Sequence, residues 1–387
     1  MEAAIFIGGM FHLPLVCEAL AHSGLDVVVH TSYPGFKLKG RLPGPCAINS
    51  YPKKEIIGRI PEIFFRDKPL TLSRIFQHDT RHAVENLESD IAIGWAGHSL
   101  GLINACNNKG IPVILERGST HISWQRNCLL KAYDAAGIEP NSRLIPSQAY
   151  IDNELMEYEH ASIIHVPSEF CAQSFEPFSD TSIREKLRIT RYGFNIPSLG
   201  VADTNDAPGK IINIGFAGTL SVRKGFFDYC WLANHIDQRC AKFEAVGNYD
   251  ADTKTILDLY RPQFTPKPSQ PKSTLFETLA RWDILVLPSY EEGLSMIIPE
   301  AMAQNTIVIG SDVSGASEYI RHGENGFIFE HGNRQQLREI LDDLIHKPEL
   351  IIDIHQRLKE NNLTTDNKIQ YLDQFADSIK TLLGSRQ

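Results

Sequence analysis

Two glutamates, Glu292 and Glu300, stand eight positions apart in the stretch PSYEEGLSMIIPEAMA at 288–303, and Gly293 directly follows the first. Earlier in the chain Arg223-Lys224-Gly225 supplies two cations and a flexible backbone joint. Carboxylates bind hydroxyls, and cations bind phosphates. On one continuous helix an eight-residue step turns about 800°, which leaves the two glutamates about 80° out of line. A strand, a loop and then a helix is the better arrangement. The apolar run 282–287 is the strand, Glu292 lies on the loop, and Glu300 projects from the first turns of the helix. Ser295 is the expected N-cap, and Pro299 fits a first turn. Such a loop offers free N–H groups and the positive end of a helix dipole to an anion. Two carboxylates beside an anion site make chemical sense when they hold hydroxyls while backbone and cations hold phosphates. A diphosphate flanked by two polyhydroxylated rings, a nucleotide-sugar, has that shape. A solvated glutamate pair on an ordinary strand–helix turn is the competing reading.

The elements that must position these groups alternate between strand and helix. Residues 3–7 read as a buried strand ending in Gly8-Gly9, a helical pattern closes at Gly24, and 27–30 is the next strand. Gly8-Gly9 is a tight turn or a backbone that a substrate can approach; it is too little for a dinucleotide fingerprint. The Pro-, Gly- and Lys-rich region 33–70 reads as a long excursion at the domain edge, a place for acceptor or membrane contact, although such a charge run is more often just solvated surface. Strands at 90–95, 111–115, 162–166 and 187–192 follow. Ser99 is placed to cap a helix at 100–107, and His98, His121 and Ser168 stand at strand ends. Ligands of parallel sheets gather at the carboxyl ends of strands. His121 follows a run of small polar residues and is a candidate, although a lone histidine is more often structural.

Composition then shifts to a turn-rich linker at 196–210, and a second α/β series begins with a strand at 211–217 running into Gly218. A four-proline loop at 262–273, strands at 306–309 and 327–329, a helix at 316–321 and an amphipathic helix at 335–344 complete it. The expected domains are 1–195, a linker 196–210, 211–364, and a C-terminal helix 365–387 that crosses back to the first domain.

Length and composition agree with two domains: 387 residues, 42% hydrophobic and 22% charged. A net charge of −9 argues against nucleic-acid binding. Seven scattered cysteines without a CxxC pair suit reduced thiols in a cytoplasmic protein. No signal peptide or membrane-spanning run is expected, so any membrane contact is peripheral, at the inner face of the cell membrane.

The motif set resembles the GT-B glycosyltransferases, in particular the retaining family 4. The resemblance rests on Glu292-x7-Glu300 with Pro288-Ser289 before it and Ala301-Met302-Ala303 after, on Gly315-x-x-Glu318, and on Arg223-Lys224-Gly225. It implies two Rossmann-like parallel-sheet domains facing a central cleft. Glu300 would hold ribose hydroxyls and Glu292 a hydroxyl of the transferred sugar. Amides around Gly293, Leu294 and Ser295, with Gly218, Arg223 and Lys224, would meet the phosphates. His121 matches the family's cleft histidine, and Gly8 and Gly9 its N-terminal glycine loop. The chain departs from the pattern at Thr219, where many members carry arginine, and at Asn305-Thr306-Ile307, where Gly-x-Pro is usual.

The activity implied is transfer of a sugar from a nucleoside diphosphate sugar to a saccharide or lipid-linked hydroxyl. It would retain anomeric configuration, in cell-surface polysaccharide or glycolipid assembly. Arg223, Lys224 and the helix N-terminus would stabilise the leaving anion. No cofactor and no metal site are expected, since no Asp-x-Asp pair or carboxylate cage stands out. The alternatives are a non-catalytic nucleotide-sugar-binding homologue, a GT-B epimerase or phosphorylase, and a glycoside hydrolase using Glu292 and Glu300.

Overall fold

The computed structural model describes residues 1–38, 40–61, 64–65, 67–141, 144–194, 196, 211–360 and 368–384. The chain divides into two compact units: Met1–Arg126, Ser142–Gly193 and Asn367–Gln387 form the first, and Asn127–Asn141 with Phe194–Asp366 the second.

The first unit holds seven parallel strands: β1 Glu2–Ile7, β2 Asp26–Thr31, β3 Cys46–Ser50, β4 Ile91–Trp95, β5 Val113–Glu116, β6 Ile163–Val166 and β7 Leu187–Ile189. Their order is β3-β2-β1-β4-β5-β6-β7. The reversal between β1 and β4 opens a crevice at their carboxyl ends. The central strands are near-continuous apolar runs because helices cover both faces. One face buries Ile5, Leu13, Val16 and Phe375; the other buries Phe6, Phe76, Ile103 and Tyr158.

The second unit holds β8 Ile212–Ala217, β9 Ala241–Gly247, β10 Lys267–Pro268, β11 Ile284–Leu287, β12 Ile307–Ser311 and β13 Phe327–Phe329. Their order is β10-β9-β8-β11-β12-β13, again all parallel. Its switch point lies between β8 and β11, so Gly218 and Pro288 leave adjacent strand ends. The fold is GT-B-like, two parallel α/β sheets of seven and six strands.

Several expectations need correcting. Residues 127–141 belong with the second unit, although they lie inside the expected first domain. Tyr133 donates to the Asp252 carboxylate, Tyr260 donates to the Ala136 carbonyl at 2.9 Å, and Arg334 to that of Ala135 at 3.3 Å. The expected linker falls on residues of which only Ile196 is described. The final helix, Lys368–Gly384, packs on Leu13–His22 through Tyr371, Leu372, Phe375 and Ile379. The region 33–70 is less irregular than its composition suggests: it contributes the edge strand β3 and a helix, Lys53–Ile57. The proline loop contains β10, which takes a parallel place beside β9. The helix expected at 316–321 is one 3₁₀ turn, Ala316–Glu318.

Ser99 does stand at the N-cap of helix Leu100–Lys109, but its hydroxyl donates to the Trp95 carbonyl at 2.8 Å. The capping acceptor is the Glu157 carboxylate, which takes the N–H groups of Gly97, Ser99 and Leu100. A side chain 57 residues or more away cannot be recognised as a cap from local sequence.

Candidate functional site

The Glu292 loop is fastened to the Arg223 loop. Tyr290 N–H donates to the Arg223 carbonyl at 2.9 Å, and the Ser311 hydroxyl donates to the Ser289 carbonyl at 2.6 Å. Gly225 sits at φ 65°, and a Cβ there would lie 1.8 Å from the Pro288 carbonyl oxygen. Only glycine lets these two loops meet. It also starts helix Phe226–His235, whose buried Phe226, Phe227 and Tyr229 anchor the loop from below.

This fastening brings opposite charges together. Lys224 Nζ is ion-paired with Glu292 Oε2, and both side chains are mostly buried. Arg223 Nη1 lies 3.3 Å from Glu291 Oε2, 3.1 Å from the Glu291 carbonyl and 3.7 Å from Glu292 Oε1. Glu291, which sequence reasoning passed over for its neighbour, is fully buried. Burial, then the adjacent Arg223, push the Lys224 ammonium well below its ordinary range, with Glu291 opposing. A lysine so placed gains strongly from an arriving anion.

Lys224 and Glu292 line a cavity of about 440 Å³, together with Gly218, Thr219, Leu294 and Ser295. Its far side is Asn248, Ser269, Gln270 and Leu275. Sequence reasoning missed Asn248 and Leu275, and reached Ser269 and Gln270 only as part of a loop. Asn248 follows the carboxyl end of β9, the same positional signal that picked out Gly218.

Other expected members stand apart from the lining. Glu300 projects from the short helix Ile297–Met302 and receives Lys272 Nζ at 3.0 Å. Ser295 is not that helix's N-cap; Met296 is. Ser295 N–H donates to the Ser314 carbonyl at 3.3 Å, and its own carbonyl accepts Ile298 N–H in a tighter turn. Its amide is therefore already used within the fold, and Leu294 is the backbone candidate that remains. Asn305 adopts φ 63°, so it takes the left-handed turn for which a glycine is usual.

An Asp-x-Asp pair does exist, at Asp250-Ala251-Asp252, contrary to expectation. Asp250 Oδ1 accepts from Asp252 N–H, Thr253 N–H and the Thr253 hydroxyl, and Asp252 accepts from Tyr133 and Asn141. Both carboxylates serve a turn and a helix start.

The remaining candidates belong to the first unit. Gly8 and Gly9 follow β1, but the room a side chain would need is taken. A Cβ on Gly8 would lie 2.5 Å from the His98 ring, and one on Gly9 2.9 Å from the Phe11 ring. These glycines admit neighbouring rings. His121 is fully buried between Tyr158, Phe175 and Phe178. Burial and then Arg117 lower its pKa to about 3, so the ring is neutral. Nδ1 accepts Ser123 N–H at 3.1 Å, which puts the proton on Nε2. That buried N–H has no acceptor among the described residues.

Residues 205–364 match the family model described as Glycosyl transferases group 1. In this stretch the chain is similar to that family. It is 29% identical over 114 residues to the N,N'-diacetylbacillosaminyl-diphospho-undecaprenol alpha-1,3-N-acetylgalactosaminyltransferase of Campylobacter jejuni, which is 29% of this chain and 30% of that one. The match spans about a fifth of the length of the first curated relatives. Among solved structures, sucrose-phosphate synthase from Thermosynechococcus elongatus superposes with a TM-score of 0.75 at 15% identity, covering 100% of both chains. Anabaena HepE in complex with UDP-glucose gives 0.64 at 15% identity, over 98% of this chain and 100% of that one. These likenesses concern the fold. Among the described residues no helix is long and apolar enough to cross a membrane.

Proposed function

We propose that this protein transfers a sugar from a nucleoside diphosphate, with UDP-glucose the first donor to try, to a saccharide or lipid-linked hydroxyl, with retention of configuration. One observation carries the reading: a buried, anion-seeking lysine and a carboxylate face the same cavity at the switch point of the second sheet. The donor's diphosphate lies against Lys224, with Arg223 adding charge. Glu292, released from Lys224, binds a hydroxyl of the transferred sugar. Glu300 holds the ribose, with Lys272 beside its carboxylate. The base rests near Asn248, Ser269 and Gln270.

The barrier falls because the departing nucleoside diphosphate is an anion leaving toward fixed positive charge in a poorly solvated pocket. In this reading His121 offers its uncommitted Nε2–H to a hydroxyl; a neutral imidazole orients without taking a proton. The C. jejuni relative, named for an undecaprenol diphosphate acceptor, supports a lipid-linked acceptor.

Titration calorimetry with UDP, GDP and ADP, followed by acceptor-dependent release of the nucleotide, tests this. Binding of one diphosphate and release of it only with an acceptor is expected. Absence of any nucleoside diphosphate binding would overturn the donor site. Binding without release under every acceptor tried would favour a non-catalytic donor-binding protein.

A further inference from the structure

One side chain of the second unit's cavity has its orientation dictated from behind. Gln270 lines the cavity beside Ser269, directly past the carboxyl end of β10. An amide side chain has one edge that accepts hydrogen bonds and one that donates them, and a half-turn exchanges the two. A chain of hydrogen bonds decides between them here. Arg281 Nη2 donates to Thr278 Oγ1 at 3.0 Å, and the Thr278 hydroxyl donates to Gln270 Oε1 at 2.9 Å. A guanidinium can only donate, so the Thr278 oxygen accepts there and its own hydrogen passes on to the next acceptor.

Thr278 is fully buried in helix Lys272–Leu279, and its hydroxyl has no other hydrogen-bond acceptor among the described residues. The Gln270 oxygen is therefore turned into the fold. Its nitrogen makes no hydrogen bond among the described residues. Gln270 is left with two N–H groups, so it offers donors to whatever enters the cavity. Lys272, two positions on, carries its ammonium to within 3.0 Å of Glu300, which ties the turn bearing Gln270 to the carboxylate placed on the ribose. Leu275, in the first turn of the same helix, gives the cavity an apolar wall beside these donors.

We propose that Gln270 selects the nucleobase of the donor by its oxo group, admitting uracil or guanine over cytosine or adenine, and that Thr278 is the positioning residue that sets this choice. The inference rests on the donor site proposed for this cavity, in which the base lies near Asn248, Ser269 and Gln270. An oxo oxygen accepts from the Gln270 N–H groups. An amino group in the same place sets donor against donor and leaves both unpaired. UDP and CDP have nearly the same size and the same ribose and diphosphate. Contacts to Lys224 and Glu300 therefore cancel when the two are compared, and the base edge alone remains.

Titration calorimetry of the full chain with UDP against CDP, and with GDP against ADP, tests this. In the pair that binds, the oxo member should bind at least about tenfold more tightly than its amino counterpart. Thr278→Val should bring the two within about threefold, because the released amide can present either edge. Thr278→Ser keeps the hydroxyl and should keep the preference. Gln270→Glu should invert it: a carboxylate only accepts, so the amino member should bind more tightly even though the added charge weakens both. An inverted ratio is not something that loss of folding produces. Equal binding of the two members by the parent, a parent preference for the amino member, an undiminished preference in Thr278→Val, or no inversion in Gln270→Glu would each overturn the proposal while leaving the donor site in place. Absence of binding by all four nucleotides would overturn the donor site and this inference with it.

Discussion

Glu292→Gln is expected to tighten nucleotide binding while slowing sugar transfer. With the site empty, Glu292 neutralises Lys224, and an arriving diphosphate must displace that carboxylate. The gross attraction of two unit charges ~4 Å apart is about 4 kcal/mol at an effective dielectric near 20. Both side chains keep about 15% of their surface in water, and Arg223 and Glu291 lie alongside. Screening and desolvation therefore leave about 1–2 kcal/mol to be recovered when the competitor is removed, or roughly 5–30-fold in Kd for UDP. The variant's lysine also loses a partner that favours its charged form. Its amine, held toward the neutral form by burial and Arg223, then takes up a proton as UDP binds. Titration calorimetry in two buffers of different ionisation enthalpy reads affinity and proton uptake together. For transfer, loss of a charge-assisted hydrogen bond to the sugar, ~1.5–3 kcal/mol, predicts a fall in kcat/KM of about 10–150-fold. Loss of UDP affinity in step with turnover would refute this reasoning, because Glu292 would then be holding the nucleotide or the loop.

Lys224→Met should weaken UDP and UDP-glucose alike by about 10–100-fold, measured by calorimetry; an unchanged Kd would remove the lysine from the diphosphate. Glu300→Gln should raise the donor KM about tenfold and erase the preference for UDP over its 2′- and 3′-deoxy analogues; an undiminished preference would place Glu300 away from the ribose. Gly225→Ala should cost about 3 kcal/mol or more, seen as a lower midpoint in urea, because it combines a left-handed backbone with a Cβ driven into Pro288; a stability within ~1 kcal/mol of the parent would contradict the loop geometry. Burial, then Glu154, raise the Glu157 pKa to about 8 from an ordinary 4.5. The folded state therefore holds a proton that the unfolded chain has lost, and this contribution declines as pH rises from about 4.5 to about 8. Thermal unfolding of Glu157→Gln should show a flatter pH dependence than the parent over that range, and parallel curves would contradict the assignment.

The architecture was legible in the sequence because its strands are short apolar runs that end in glycine, serine or proline. The runs ending at Ile7, Trp95, Ala217 and Leu287 are all observed strands, and their carboxyl ends are where the crevices lie. The edge strand β3 was hidden because an edge strand is half-exposed and lacks a continuous apolar run. The mixed membership of 127–141 was hidden because it depends on Asp252, Tyr260 and Arg334, residues more than a hundred positions away.

Within the site, spacing identified the chemical groups but could not say how they engage one another. Glu-x7-Glu and Arg-Lys-Gly read separately as a hydroxyl-binding half and a phosphate-binding half. Folded, one member of each half is spent on the other, Glu292 on Lys224. Glu291 is the residue that makes this arrangement serviceable. It is fully buried and holds Arg223, so in the proposed reading, in which Glu292 turns to the sugar, the loop still has a fixed carboxylate against its cations. In that reading adjacent glutamates divide the work: one stays to balance charge, and the other leaves for the ligand. A sequence shows two neighbouring carboxylates on a loop; only their unequal burial shows which one can move to a ligand.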